Sequence, residues 1–243
     1  MFDVDYEANP KEYANFFKNV KREGTDYLAF RDLHKIFKKY DIKLTSTLDY
    51  GCGAGKSIDI LKKIARNYHE DLNIEGVDIN PEMLKVAQSK DPSGKYTHIE
   101  DAKTPFPDNY FTFVFCSWVL VEISSKAKIL ELLKEVRRIM SPGAIFIAVV
   151  CTEEFYNKKW LSFDTDFPEN KDLYSTKKVR LCFKDISLII RDYYWSEEDY
   201  KSLYKDSGLT LEEIYKPLAS ETDSTEWCDE LHHPPYALYI AKK

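Results

Sequence analysis

Glycine is scarce in this chain, 8 residues in 243, and methionine scarcer still at 3. None of the cysteines, Cys52, Cys116, Cys151, Cys182 and Cys228, forms a C-x-x-C pair, so zinc and dithiol redox motifs find little support. Three of them lie in or beside apolar strand-like runs, where a reduced, buried thiol is the expected state. Positive charge is in deficit, with a net charge of −6 and a pI near 5.5. That balance argues against general nucleic-acid binding, while leaving a local basic patch open. No apolar run approaches the length of a membrane span. The acidic opening Met1-Phe2-Asp3-Val4-Asp5 lacks the apolar region of a secretory signal, so a cytoplasmic protein is expected. Internal repeats, low-complexity tracts, catalytic triads and metal-ligand clusters are likewise missing, and no metal is expected.

What is present is core material. At 44% hydrophobic and 31% charged, the chain can build one large α/β domain, or one domain with an inserted cap. Apolar spacing predicts two helices between Pro10 and about Tyr40. Strands and helices then alternate. Thr45 to Tyr50 reads as a strand, Ser57 to Tyr68 as a helix, and Asn73 to Asp78 as a strand. Asn80-Pro81-Glu82 combines a capping Asn, Pro at the first helical position and an acid in the first turn, opening a helix to about Lys90. Tyr96 to Glu100 and Thr112 to Ser117 are further strands. Lys126 to Met140 is a helix stopped by Ser141-Pro142-Gly143, and Ala144 to Val150 a continuous apolar strand. Such alternation implies a parallel sheet with helices on both faces. Beyond Cys151 the chain turns aromatic and charged. Val179 to Phe183 and Ile186 to Ile190 suggest a hairpin, and Ser196-Glu197-Glu198-Asp199 begins a helix to Ser207. Strands near Leu211 to Tyr215 and Tyr236 to Ala241 complete the sheet.

Against the general scarcity, Gly51, Gly53 and Gly55 cluster between the first strand and its helix. Closely spaced glycines there bring backbone close to a ligand, because a Cβ would block the approach or forbid the angles. Three motifs compete. The dinucleotide fingerprint needs a third glycine where Lys56 stands. A P-loop shares Gly55-Lys56-Ser57 but needs its first glycine at Tyr50. An acid followed by G-x-G-x-G is met in full by Asp49, Gly51, Gly53 and Gly55.

On that motif the chain resembles the class I S-adenosylmethionine-dependent methyltransferases, in particular their small-molecule group. Five segments match in order: Leu48 to Gly55; Gly76-Val77-Asp78-Ile79-Asn80 with Met83-Leu84; Glu100-Asp101-Ala102 with Pro105 to Phe111; Phe113 to Ser117 leading into Leu120; and Glu135 to Ala144. The resemblance covers Thr45 to Val150 well and the flanks loosely. It implies a doubly wound, Rossmann-like, seven-stranded, mostly parallel sheet with flanking helices and an antiparallel last strand. A single domain is expected: an N-terminal helical lid over 1–43, a cofactor core over 44–151, a substrate cap inserted over 152–195, and completion of the sheet over 196–243.

The implied cofactor is S-adenosylmethionine, leaving as S-adenosylhomocysteine. Asp78 would accept from the ribose hydroxyls, and Asp101 with the Ala102 N–H would meet the adenine, flanked by Ile79 and Met83. Gly51, Cys52, Gly53 and Gly55 would run beside the methionine and ribose portions, with Asp49 orienting the loop or meeting the ammonium group. Cys116 and Ser117 fall at the mouth of the site, Cys116 as a small neighbour rather than a nucleophile. Tyr6 and Tyr13 match an aromatic lid over the sulfonium; core packing accounts for either equally well.

Relatives often carry a histidine pair after the fourth strand; here Val121 and Glu122 stand there, making Glu122 a candidate base or an exposed helical acid. His232 and His233, before Pro234-Pro235, are further candidates for a base or substrate ligand, with a surface turn as the alternative. The aromatic residues between Phe155 and Trp195 suit a planar or heterocyclic acceptor, or simply pack the cap. The expected activity is methyl transfer to N or O of a small aromatic or heterocyclic molecule. A protein or RNA methyltransferase, or a non-catalytic cofactor-binding scaffold, are the alternatives.

Overall fold

The computed structural model describes residues 2–3, 9–17, 23–66 and 72–243. Tyr6 lies outside them. The central sheet has seven strands: β2 (Thr47–Tyr50), β3 (Ile74–Asp78), β4 (Lys95–His98), β5 (Phe111–Ser117), β6 (Met140–Cys151), β10 (Thr210–Tyr215) and β11 (Tyr236–Lys242). Their order is β10-β11-β6-β5-β2-β3-β4. Pairing is parallel from β6 through β5, β2 and β3 to β4, and antiparallel on both sides of β11. This is the doubly wound sheet that the alternating pattern implies, with chain order reversing beside β2. In such sheets the crevice at the carboxyl ends of the strands, next to the reversal, takes the ligand.

Side chains alternate across each strand, so the sheet separates two cores. Phe113, Phe115, Ile145, Ile147 and Val149 face one; Val114, Cys116, Phe146, Ala148 and Val150 face the other. The first core is closed by α1 (Pro10–Phe17), α2 (Leu28–Arg31), α3 (Leu33–Lys39) and α4 (Lys56–Arg66), and by the cap. The second takes α6 (Val119–Glu122), α7 (Lys126–Ile139) and α8 (Glu197–Ser207). Between β3 and β4, α5 (Pro81–Lys90) starts where the sequence places it: the Asn80 side chain accepts from the N–H groups of Glu82 and Met83, at 2.9 and 3.3 Å.

Two departures from the sequence reading shape this part of the fold. The helical stretch before Tyr40 splits at Asp32 into α2 and α3, preceded by a 3₁₀ turn at Gly24–Tyr27. Asp32 gathers Arg31, Lys35 and Tyr215 around its carboxylate, and these hydrogen bonds outweigh burial to hold its pKa down at about 2. The second difference is β6, which begins at Met140 rather than after Gly143. Residues 141–144 form a bulge, since Phe111 pairs with Met140 but Phe113 with Ile145.

The expected hairpin belongs to a second, four-stranded sheet in the order β1-β9-β8-β7. Its strands are β1 (Phe2–Asp3), β7 (Phe163–Asp164), β8 (Lys178–Phe183) and β9 (Leu188–Tyr193). The N-terminal strand pairs with β9 in parallel, Phe2 opposite Leu188. The cap sheet therefore joins the N-terminal strand to residues 163–193, whereas the sequence suggested only a local insertion. Among the described residues, no helix is long and apolar enough to cross a membrane.

Candidate active site

At the carboxyl ends of β2, β3 and β5, the chain leaves the sheet around a cavity of about 380 Å³, within the roughly 300–1,000 Å³ typical of ligand clefts. Its lining joins two chemically different halves: the loops of the central sheet and the inner face of the cap.

The loop half begins with Gly51, Gly53 and Gly55 at φ +75°, +50° and +77°, a left-handed backbone that only glycine adopts freely. At Gly51 a Cβ would lie 2.1 Å from Val119 Cγ2, so the β2 turn and the start of α6 pack too closely for any side chain. Gly51 and Cys52 donate to the Val77 carbonyl at 2.8 and 2.9 Å, tying the loop to β3. The Gly53 N–H donates to Asp78 Oδ2 at 2.8 Å, and the Asn80 N–H to Asp78 Oδ1 at 2.7 Å. Burial pushes the Asp78 carboxyl above its ordinary pKa despite those two donors. Ile79 is half exposed into the opening, and Met83 faces Gly53.

The opposite rim is the loop after β4. Asp101 is exposed and accepts from the Lys103 N–H at 2.7 Å. Ala102 gives its carbonyl to the Tyr50 hydroxyl at 2.6 Å. Glu135, on α7, accepts from both the N–H and the hydroxyl of Thr104, at 2.8 and 2.7 Å. Arg138 binds the same carboxylate through Nε and Nη2, and also the Phe106 carbonyl and Asp108. Burial alone would raise the Glu135 pKa; the hydrogen bonds from Arg138 and Thr104 outweigh it and hold the carboxyl below the usual range.

Tyr13 closes one side. Its hydroxyl donates to Glu122 Oε1 at 3.0 Å, while its ring stacks on Phe17 at 4.2 Å. This joins the lid residue and the candidate acid of the sequence reading in one contact.

The residues singled out in the sequence divide as follows. Gly51, Cys52, Gly53, Asp78, Ile79, Met83, Asp101, Ala102, Ser117, Tyr13 and Glu122 line the cavity. Asp49 and Gly55 stand behind the lining. Asp49 is fully buried and accepts from the Ser57 hydroxyl at the start of α4. Cys116 faces the opposite core, because strand alternation turns it away when Ser117 faces the opening, and burial pushes its thiol pKa well up. His232 and His233 are also outside the lining. His232 is exposed, and His233 lies 3.0 Å from Glu154 through Nδ1.

The cap half includes rings that the sequence reading assigned to an inserted cap, Phe155, Phe163 and Phe183 among them. Trp118, Cys151, Phe155, Phe163, Leu181, Phe183, Ile190 and Tyr236 form an aromatic and aliphatic chamber continuous with the loop half. Phe155 meets Phe163 and Tyr236 with ring centroids 5.3 and 5.6 Å apart, and Phe163 meets Phe183 at 4.9 Å. Trp118 takes φ +60°, an uncommon value for a bulky residue, at the turn from β5 into α6. Two carboxylates, Asp26 and Asp192, also line this chamber. Glycine spacing marked the loop half; no comparable spacing brings Trp118, Leu181, Ile190 and Tyr236 together with those rings.

A family model described as a methyltransferase domain matches residues 48–148. Demethylmenaquinone methyltransferase of Staphylococcus aureus is 29% identical over 161 residues, covering 62% of this chain and 63% of that protein. The match thus spans less than two thirds of that relative. Among solved structures, a SAM-dependent methyltransferase from Methanosarcina mazei superposes with a TM-score of 0.60 at 19% identity, over 86% of this chain and 96% of that one. Geranyl diphosphate C-methyltransferase from Streptomyces coelicolor, solved with Mg2+, geranyl diphosphate and S-adenosyl-L-homocysteine, superposes with a TM-score of 0.55 at 13% identity, over 87% and 77%. At these identities the structural likeness carries the fold.

Proposed function

We propose that the chain, whose residues 48–148 match a methyltransferase-domain family, acts as a class I S-adenosylmethionine-dependent methyltransferase and methylates an N or O atom of a small aromatic or heterocyclic molecule. One observation carries the reading. A single cavity runs from the glycine loop into an aromatic chamber beneath the cap, so cofactor and acceptor can meet away from bulk water.

The residues of the loop half fit the cofactor. Asp78 holds two backbone N–H groups but keeps lone pairs on both oxygens, enough to accept two ribose hydroxyls. Ile79 and Met83 offer apolar faces to a planar base, and Asp101 with the Ala102 N–H supplies polar contacts at its edge. The positive-φ backbone of Gly51 and Gly53, with Cys52 between them, leaves room for the amino-acid portion. Asp49 and Gly55 shape that loop from behind, and Ser117 borders it.

When bound, S-adenosylmethionine supplies a methyl group already activated on a sulfonium. The protein's share is to bind, align and exclude water. Tyr13 and Glu122 close the opening on one side, Trp118 and Tyr236 wall the passage toward the cap, and Glu122 is the acid–base candidate within the cavity. A cavity of this volume suits a small acceptor better than a macromolecular one. The related staphylococcal protein is named for a quinone, a ring-bearing molecule. Four buried, unbridged cysteines fit a reducing compartment, and we place the protein in the cytoplasm.

The test is incubation with labelled S-adenosylmethionine and a fractionated metabolite extract. Label should enter a small ring-bearing product. Label entering only protein or RNA, or nothing at all, contradicts the proposal.

A further inference from the structure

The chamber beneath the cap is apolar except for two acids. Leu181, Phe183 and Ile190 turn one face of the β8–β9 hairpin into it, and their cross-strand register is Leu181 opposite Ile190 and Phe183 opposite Leu188. Asp192 follows Ile190 by two positions and so occupies the same face, opposite Val179. It is 3% exposed, and its carboxylate has one hydrogen bond, from the Tyr156 hydroxyl at the long distance of 3.4 Å. Asp26 is 2% exposed and accepts from the Tyr236 hydroxyl at 2.8 Å. Both acids lie near enough to Cys151 to help burial push its thiol pKa up.

A buried carboxylate with so little compensation is unfavourable in an otherwise hydrophobic wall. No Lys or Arg offsets it there: among the described residues, the cations that line the cavity are Lys56, beside the glycine loop, and Lys128, on α7. The rings of Phe155, Phe163, Phe183 and Tyr236 stand around the same space, and aromatic faces attract cations.

We propose that Asp192, assisted by Asp26, anchors a protonated amine carried by a ring-bearing acceptor, the ring lying among Phe155, Phe163 and Phe183. This rests on reading the chamber as the acceptor site. Asp192 then acts as a positioning residue. It holds the far end of the acceptor through a charge-assisted hydrogen bond, while the cofactor occupies the loop half. Neutral and anionic analogues of the same ring are excluded, because they leave the carboxylate unpaired or repel it.

The experiment is calorimetric titration of the full chain, saturated with S-adenosylhomocysteine, with small aryl rings each offered with an aminoethyl, a hydroxyethyl and a carboxyethyl arm. An aminoethyl compound should bind about tenfold or more tighter than its hydroxyethyl partner, with the carboxyethyl partner weakest. Asp192→Asn should erase the preference for the amine and leave S-adenosylhomocysteine affinity within about twofold. Equal binding of amine and alcohol, no amine binding, or an amine preference undiminished in Asp192→Asn overturns the proposal. If that variant fails to fold, the comparison of the three arms on the wild-type chain decides. Failure of the wild-type chain to take up S-adenosylhomocysteine is a different result: it strikes the methyltransferase reading itself.

Discussion

Gly51 meets the sharpest steric demand in the site. Its left-handed backbone and the 2.1 Å approach of Val119 to a notional Cβ act together. Gly51→Ala should therefore lower stability by about 2 kcal/mol or more and abolish measurable S-adenosylhomocysteine binding; thermal melts and calorimetry read the two effects. Asp78→Ala should fold but bind the product cofactor more weakly by on the order of 1.5–3 kcal/mol, one lost charge-assisted hydrogen bond. Asp192 predicts a pH effect on stability. Burial pushes its carboxyl up to about 7 from 3.8, only partly relieved by Tyr156. The folded chain then holds a proton that the unfolded chain has released between those values. Its contribution is most favourable below pH 3.8 and is lost as pH rises to about 7, by on the order of 2–4 kcal/mol. The groups that share its surroundings, Cys151, Tyr156 and Tyr200, are also pushed upward by burial and stay protonated across that range. Denaturant unfolding of Asp192→Asn from pH 5 to 8 should lack the Asp192 share of the slope; an unchanged slope contradicts this assignment. Glycine spacing made the first of these residues legible in the sequence. Asp192 was not: the strand read from the sequence ended at Ile190, and only the register of β8 and β9 brings Asp192 into it on the inner face.

Elements are joined by side chains that the sequence motifs contained without revealing why. Glu135 and Arg138 belong to the last matching segment, Asp101 and Ala102 to the third. In the structure, α7 holds the 101–108 loop through Thr104, Phe106 and Asp108. Glu135→Ala should thus cost on the order of 1–3 kcal/mol in chemical unfolding, since it leaves the buried Thr104 donors unpaired and removes one of the partners of Arg138. It should also weaken S-adenosylhomocysteine binding, although Glu135 is absent from the cavity lining. An unaffected affinity would detach the loop from the role proposed for Asp101. Tyr50 shows the same gap. In the sequence it served only to rule out a P-loop; in the structure its hydroxyl holds the Ala102 carbonyl, joining the glycine strand to the opposite rim. Helix starts such as Asn80 were legible because capping is local. The bulge at 141–144 was not, because it depends on the pairing of β6 with β5.

Across the whole molecule, the chamber depends on segments far apart in sequence. Glu230 is fully buried and accepts from the Thr25 hydroxyl, the Leu161 N–H and the Cys228 N–H, at 2.7, 2.7 and 2.8 Å. It thereby fastens the N-terminal 3₁₀ turn, the cap and the segment before β11 to one another. The parallel sheet was legible because strand and helix periods alternate along the chain. The cap sheet was not, since its edge strand comes from residues 2–3 and its inner face meets the cavity only after the chain has closed. All of this geometry serves one claim, that the glycine loop and Asp78 bind S-adenosylmethionine. Titration of the wild-type chain with S-adenosylhomocysteine tests it most directly. The account predicts saturable one-to-one binding that Asp78→Ala weakens by about tenfold or more; no saturable binding up to high micromolar concentration, or binding indifferent to Asp78, would contradict it.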